Sequence, residues 1–185
     1  MRRFRLRPRP PMPRPASQCS GMFCSPPSRP PHHPHPPHLT RPPVPPPQPP
    51  LPVDHGRRPF VLNINRATLG NKNYRTTLWT GRYLQLTLMT IPPGGEIGLE
   101  LHPDTDQFLR IEEGQGIVQM GATRNNLNFR QTVFEDFAIF VPAGTWHNLT
   151  NIGRTPLKLY SIYAPPHHPP GTVHATKAIS DMMGD

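Results

Sequence analysis

The run Gly94-Gly95-Glu96-Ile97-Gly98-Leu99-Glu100-Leu101-His102-Pro103-Asp104-Thr105-Asp106-Gln107-Phe108-Leu109-Arg110-Ile111-Glu112-Glu113-Gly114 decides how the rest of the chain is read. From Glu96 to His102, apolar residues alternate with Glu96, Gly98, Glu100 and His102. Side chains two apart on a β-strand share a face, so Glu100 and His102 are expected to project together from a strand over Ile97–His102. A turn at Pro103–Asp106 then reverses the chain, and Gln107 opens the next strand beside them. Much later, Pro142-Ala143-Gly144-Thr145-Trp146-His147 sets a second histidine directly after a tight turn. One carboxylate, two imidazoles and an amide oxygen could meet around one divalent cation. Oxygen donors mixed with imidazole suit Mn²⁺, Fe²⁺, Co²⁺, Ni²⁺ or Zn²⁺. By spacing alone, a histidine on a strand is as readily a structural residue as a ligand.

Outward from this run, short stretches rich in β-branched and aromatic residues are broken by Gly, Pro and Asn turns. Strands are expected at Phe60–Ile64, Thr77–Thr80, Tyr83–Ile91, Ile97–His102, Gln107–Glu112, Gly116–Met120, Phe129–Phe134, Ala138–Val141, His147–Asn151 and Leu157–Ala164. Alternation is clearest in Tyr83–Met89 and Leu157–Tyr163. Helical periodicity is confined to Ala175–Met183. Many short, evenly spaced strands argue for an all-β sandwich or barrel. Tyr83, Gln85, Met89, Phe140 and Tyr163 are candidates to line it, Trp146 should face away from His147, and His167, His168 and His174 are expected at the surface, with a reach back to the barrel mouth as the alternative.

The chain has 185 residues, and its basic character is local. Residues 1–59 hold 21 of the 30 prolines and ten arginines against one acid, Asp54, whereas residues 60–185 carry ten Lys/Arg and ten Asp/Glu. A basic nucleic-acid-binding domain is thereby excluded for the folded part. The first segment lacks the apolar residues needed to offset roughly 1–2 kcal/mol of backbone entropy per residue, so residues 1–59 read as a disordered Pro/Arg/His-rich arm. Its Pro42–Pro50 run favours polyproline II, as a spacer or a groove ligand. Its arginines allow weak, salt-sensitive contact with a polyanion. Nothing in the arm is expected to pack, so deleting residues 1–59 should leave the melting temperature unchanged.

Cys19 and Cys24 both lie in this arm, near His32, His33, His35 and His38, and read as free thiols, with a redox or metal pair as the alternative. No run approaches the ~20 apolar residues of a membrane helix, and no apolar stretch follows the basic start. A cytoplasmic protein with no membrane contact is the expectation.

Residues 94–151 also resemble the cupin superfamily. Its first motif, G-x5-H-x-H-x4-E-x6-G, is matched in spacing by Gly94, Glu100, His102, Gln107 and Gly114. Its second, G-x5-P-x-G-x2-H-x3-N, is matched by Asp136, Pro142, Gly144, His147 and Asn151. Over roughly residues 80–164 the resemblance implies a single-domain jelly-roll barrel, residues 60–185 being the cupin domain, with one divalent transition metal inside. Glu100 stands where the family has a histidine, and Gln107 where it has the glutamate. The exchange keeps one negative charge, so the resemblance implies a metal set of Glu100, His102, Gln107 and His147. The alternatives are a degenerate site with Glu100 and Gln107 merely hydrogen-bonded, or Glu100 free as a general base. Gly94, Gly114, Gly144 and Asp136 are expected to supply positive φ angles. A small-molecule cupin follows, as a metal-dependent dioxygenase or isomerase acting on an oxygen-bearing substrate, and as a homodimer. The other reading is a non-catalytic ligand-binding or assembly cupin that uses its basic arm.

Overall fold

The computed structural model describes residues 54–184. Cys19, Cys24, the four histidines between 32 and 38 and the Pro42–Pro50 run lie outside the described residues, with the rest of the expected arm up to Val53.

The described chain runs α1 (Ile64–Gly70), β1 (Arg75–Thr80), β2 (Gln85–Ile91), β3 (Asp106–Glu113), β4 (Gln115–Gly121), β5 (Phe129–Phe134), β6 (Ala138–Val141), β7 (Trp146–Asn151), β8 (Leu157–Ala164), β9 (Val173–His174) and α2 (Lys177–Met183). The strands form two antiparallel sheets, one ordered β6-β3-β8-β2-β1-β9 and the other β5-β4-β7. Met89, Ile111 and Leu159 from the first sheet share one buried cluster with Val118, Val133 and Leu149 from the second. The two inner faces therefore enclose a single core, and the expected all-β jelly roll is borne out.

Register arranges that core in layers. Gln85 pairs with Tyr163 and Tyr163 with Gln107, Thr87 pairs with Ser161 and Ser161 with Leu109, and Met89 pairs with Leu159 and Leu159 with Ile111. Directly paired residues share a face, so all three rows point inward. The first row is polar, the second mixed and the third apolar except at its β1 end, where Arg75 pairs with Met89. The barrel is thus greasy at one end, where each fully buried aliphatic side chain contributes roughly 1.5–3 kcal/mol, and polar at the other. Of the candidate lining residues, Gln85, Met89 and Tyr163 are buried, whereas Tyr83 and Phe140 point outward.

The outer face of the larger sheet is covered as well. Leu78, Leu88 and Ala67 are buried there under Phe60, Leu62 and Ile64. The expected strand Phe60–Ile64 is absent, because this segment lies across the sheet without joining a ladder. Its alternation was real: every second residue contacts the sheet while Val61 stays 92% exposed. Helix α1 went unrecognised, although Asn63 caps it by accepting a hydrogen bond from Arg66 N at 2.9 Å. The expected C-terminal helix is present from Lys177, capped by Thr176. Gly94, Gly114 and Gly144 have positive φ as expected, and Asp136 adopts φ 68°. Among the described residues, no helix is long and apolar enough to cross a membrane.

Residues 54–59, assigned to the arm from sequence, are tied to the barrel. Asp54 Oδ2 accepts hydrogen bonds from Thr80 Oγ1 and Gly171 N, His55 N donates to Leu78 O, and Trp79 Nε1 donates to Arg58 O. The expectation of a neutral deletion therefore changes. A chain lacking residues 1–59 should melt on the order of 5 °C or more below one lacking only residues 1–53, since each lost hydrogen bond costs about 1 kcal/mol. Coincident melting curves would show that this anchor contributes nothing.

Candidate metal centre

The expected strand Ile97–His102 is not continuous. Residues 96–100 run beside β7 through two isolated bridges, Glu96 with Thr150 and Glu100 with His147. Four steps along one chain match three along the other, so one extra residue is bulged out. Gly98 sits in that bulge at φ 97°, a left-handed backbone that other residues resist. Its N–H donates to Asn148 Oδ1 at 3.2 Å, while Asn148 Nδ2 donates to Glu96 Oε2 at 2.8 Å. Strict alternation would put Glu96 on the same face as Glu100 and His102; instead Asn148 holds its carboxylate.

The two motif turns are joined through the backbone. Gly144 N donates to His102 O at 2.8 Å, and Ala143 N donates to Asp106 Oδ1 at 2.8 Å. His147 is thereby carried to His102, with their ring centroids 5.3 Å apart. Glu100 Oε1 lies 3.3 Å from both His102 Nε2 and His147 Nε2. The three donor atoms all lie within 4.8 Å of one another. His102 and His147 are buried, while the Glu100 side chain keeps 20% exposure.

None of Glu100 Oε1, His102 Nε2 and His147 Nε2 makes a hydrogen bond. A buried polar atom left unpaired costs about 1–3 kcal/mol, so three converging on one point call for a shared partner. The His147 tautomer is set locally. Its Nδ1 is 2.9 Å from Thr145 O, and a carbonyl only accepts, so Nδ1 carries the proton and Nε2 presents a lone pair. Burial alone would push the Glu100 carboxyl up, but hydrogen bonds and charge from His102 and His147, present when their Nε2 atoms carry protons in place of a metal, outweigh it and hold the group well below the usual carboxylate range. Carboxylate and imidazole donors in this arrangement fit a divalent transition ion.

Residues 87–163 match the cupin domain family. The chain is 64% identical over 125 residues to YrkC of Bacillus subtilis (strain 168), covering 68% of this chain and 67% of that one. It is 38% identical over 133 residues to L612 of Acanthamoeba polyphaga mimivirus, covering 71% and 81%. It also superposes on the crystal structure of BH2720 from Bacillus halodurans with a TM-score of 0.70 and 62% identity, covering 70% of this chain and 98% of that one. The chain belongs to the cupin superfamily.

In this cupin, three of the four residues singled out from sequence form the cluster. Gln107 faces the same interior from the polar row, buried and paired with Tyr163, whose ring meets His102 edge-on at 5.6 Å. Its Nε2 donates to Ser161 Oγ at 3.0 Å, leaving Oε1 without a hydrogen bond. Trp146 faces away from His147 as expected, under the Arg124 guanidinium at 5.7 Å.

Of the histidines after β8, His168 and His174 are buried, against expectation, whereas His167 is exposed as expected and reaches back to the barrel, its ring 4.0 Å from that of His102 and stacked on Tyr163 at 5.7 Å. The cause is Gln85, whose Oε1 accepts from His167 N and His168 N while Nε2 donates to His168 O. No local signal identifies that clamp, because its two halves lie more than 80 positions apart.

Proposed function

We propose that this cupin is a metal-dependent protein acting on an oxygen-bearing small molecule. Glu100, His102 and His147 hold one divalent transition ion (Mn, Fe, Co, Ni or Zn), with Gln107 Oε1 as a fourth donor. The observation that carries the reading is the convergence of three buried donor atoms that make no hydrogen bonds among themselves. Two neutral imidazoles, a neutral amide and one carboxylate leave a net charge of +1 with the ion in place, which suits an anionic substrate oxygen.

Bound there, the ion supplies Lewis-acid polarisation of a substrate oxygen. The protein's part is orientation: Thr145 O fixes His147, and Tyr163 and His167 flank His102. Glu100 Oε1 is turned to both imidazoles, which favours a ligand role, and its other oxygen is the atom that would take a substrate proton. Dioxygenase chemistry with iron and isomerisation with manganese or zinc are the two reaction classes. Elemental analysis of the purified chain tests the reading. About one equivalent of a transition metal is expected, since imidazole and carboxylate donors preset in this way bind without a folding cost. Protein free of metal after incubation with each candidate ion would sink it.

With this reading go a cytoplasmic location, a salt-sensitive polyanion contact through the arm, and a homodimer. Support for the dimer is the outermost strand β6, where Phe140 is 70% exposed beside Phe108 at 5.1 Å. Unpaired strand edges of this kind favour association. Phe140→Asp is expected to shift the mass seen by sedimentation from two chains to one; a variant that sediments like the wild type would move the contact elsewhere.

A further inference from the structure

A second set of polar atoms lines the interior one row in from the metal centre. Thr77 pairs with Thr87 across β1 and β2, and Thr87 pairs with Ser161 across β2 and β8. All three are essentially sealed from solvent, at 1%, 0% and 0% exposure. Ser161 is satisfied by Gln107 Nε2, but Thr77 Oγ1 and Thr87 Oγ1 have no hydrogen-bond partner. Packing does not explain them, because valine has the same shape and would avoid the cost of an unpaired hydroxyl, about 1–3 kcal/mol each. In the next row inward Met89, Leu159 and Ile111 are apolar and only the β1 end is polar, where buried Arg75 stands opposite Met89 with Nη1 donating to Ser180 Oγ at 3.2 Å. Two orphan hydroxyls side by side, at the boundary between the polar and apolar rows, have the placement of recognition groups.

The chemistry of the row narrows what they recognise. A hydroxyl both donates and accepts, so a ligand hydroxyl satisfies the pair. No Lys or Arg belongs to the rows Gln85-Tyr163-Gln107 and Thr77-Thr87-Ser161-Leu109, and buried Arg75, two residues before Thr77, donates to Ser180 Oγ of α2, so neither row offers a cation to a second anionic group. Two residues of strand separate the Thr87 row from the Tyr163 row, roughly 7 Å. We propose that Thr77 and Thr87 form a hydroxyl-recognition subsite, and that the ligand of this barrel is a short monocarboxylic hydroxy acid. Its carboxylate faces the metal centre and its hydroxyl faces the two threonines. The subsite rests on the metal reading for the carboxylate end only.

The test uses 3-hydroxybutyrate and butyrate, which differ by one hydroxyl, titrated calorimetrically into Mn²⁺-loaded full-length protein. Wild type should bind the hydroxy acid about tenfold or more tightly, as expected of a site built around a hydroxyl. In Thr77→Val/Thr87→Val the preference should shrink to within about threefold while the ligand-free Tm holds or rises. Equal binding of the two acids by wild type, binding of neither, a preference that survives in the variant, or a variant that melts several degrees lower would each overturn the subsite. Metal content measured in parallel separates the two readings. Wild type without metal overturns the metal centre, whereas loaded protein that ignores the hydroxyl overturns only this inference.

Discussion

His147→Ala should strip the metal and leave a folded barrel. His147 supplies one of three donor atoms that lie within 4.8 Å of one another, and its ring is held at 1% exposure with Nδ1 committed to Thr145 O. On the proposed reading, losing it removes one bond to the ion and leaves Glu100 facing only His102. Affinity should fall by well over ~100-fold, more than the 10–100-fold typical of losing a residue that merely supports a ligand. Two measurements check this. Elemental analysis should read near zero for His147→Ala and for His102→Ala. A chelator should lower the melting temperature of the wild type, since the proposed ion would stabilise the folded state that binds it, and should leave both variants unmoved. A variant that keeps stoichiometric metal, or a wild type indifferent to chelator, would remove His147 from the site. Circular dichroism unchanged from wild type guards against simple unfolding, because Leu149 and Asn151 hold β7 beyond His147.

The second large effect is expected at Gln85, which no chemistry assigns to the metal. It is fully buried, and its amide makes hydrogen bonds to His167 N at 3.2 Å, His168 N at 2.9 Å, His168 O at 2.7 Å and Thr80 Oγ1 at 3.1 Å. Gln85→Ala leaves backbone groups of the segment after β8 without these partners, at about 1–3 kcal/mol for each buried group, so a total loss of roughly 3–5 kcal/mol is expected. For a domain of this size that corresponds to a fall in Tm of about 10 °C or more. Gln85→Glu keeps the acceptor for the two N–H groups but loses the donor to His168 O, and should fall between wild type and Gln85→Ala. Because the clamp sets His167 over His102, limited proteolysis should cut residues 165–172 faster in Gln85→Ala. A variant that melts within about 2 °C of wild type, below the effect of one lost buried hydrogen bond, would show that the clamp is incidental.

Much of the barrel was legible because strand signals are local. The expected strands Phe129–Phe134, Ala138–Val141 and Leu157–Ala164 agree with the structure at both ends. Period-two burial in β8 reproduces the alternation of Leu157 to Tyr163 residue by residue. Asp136 could be read as a left-handed turn residue because its short side chain tolerates φ near 68°. Glu100, His102 and His147 were found through motif spacing that carries both turns at once.

The errors share one cause. Phe60–Ile64 alternates as a strand does, yet a strand exists only where a neighbour offers backbone partners, and that segment met side chains of Leu78 and Leu88 instead. The bulge at Gly98 is a mismatch of count between residues 96–100 and 147–150, so neither segment contains it alone.

Residue order by itself determined which segments pleat, where they turn and which donor types the two motif turns carry, because φ preference and side-chain alternation act over a few residues. Only the tertiary structure decided that Glu96 leaves the site, that His167 enters it beside His102, and that Thr77 meets Thr87 with no partner for either hydroxyl. Those outcomes depend on register and on buried hydrogen bonds between residues far apart in the chain, and free energies of that kind exist only once the sheets have closed.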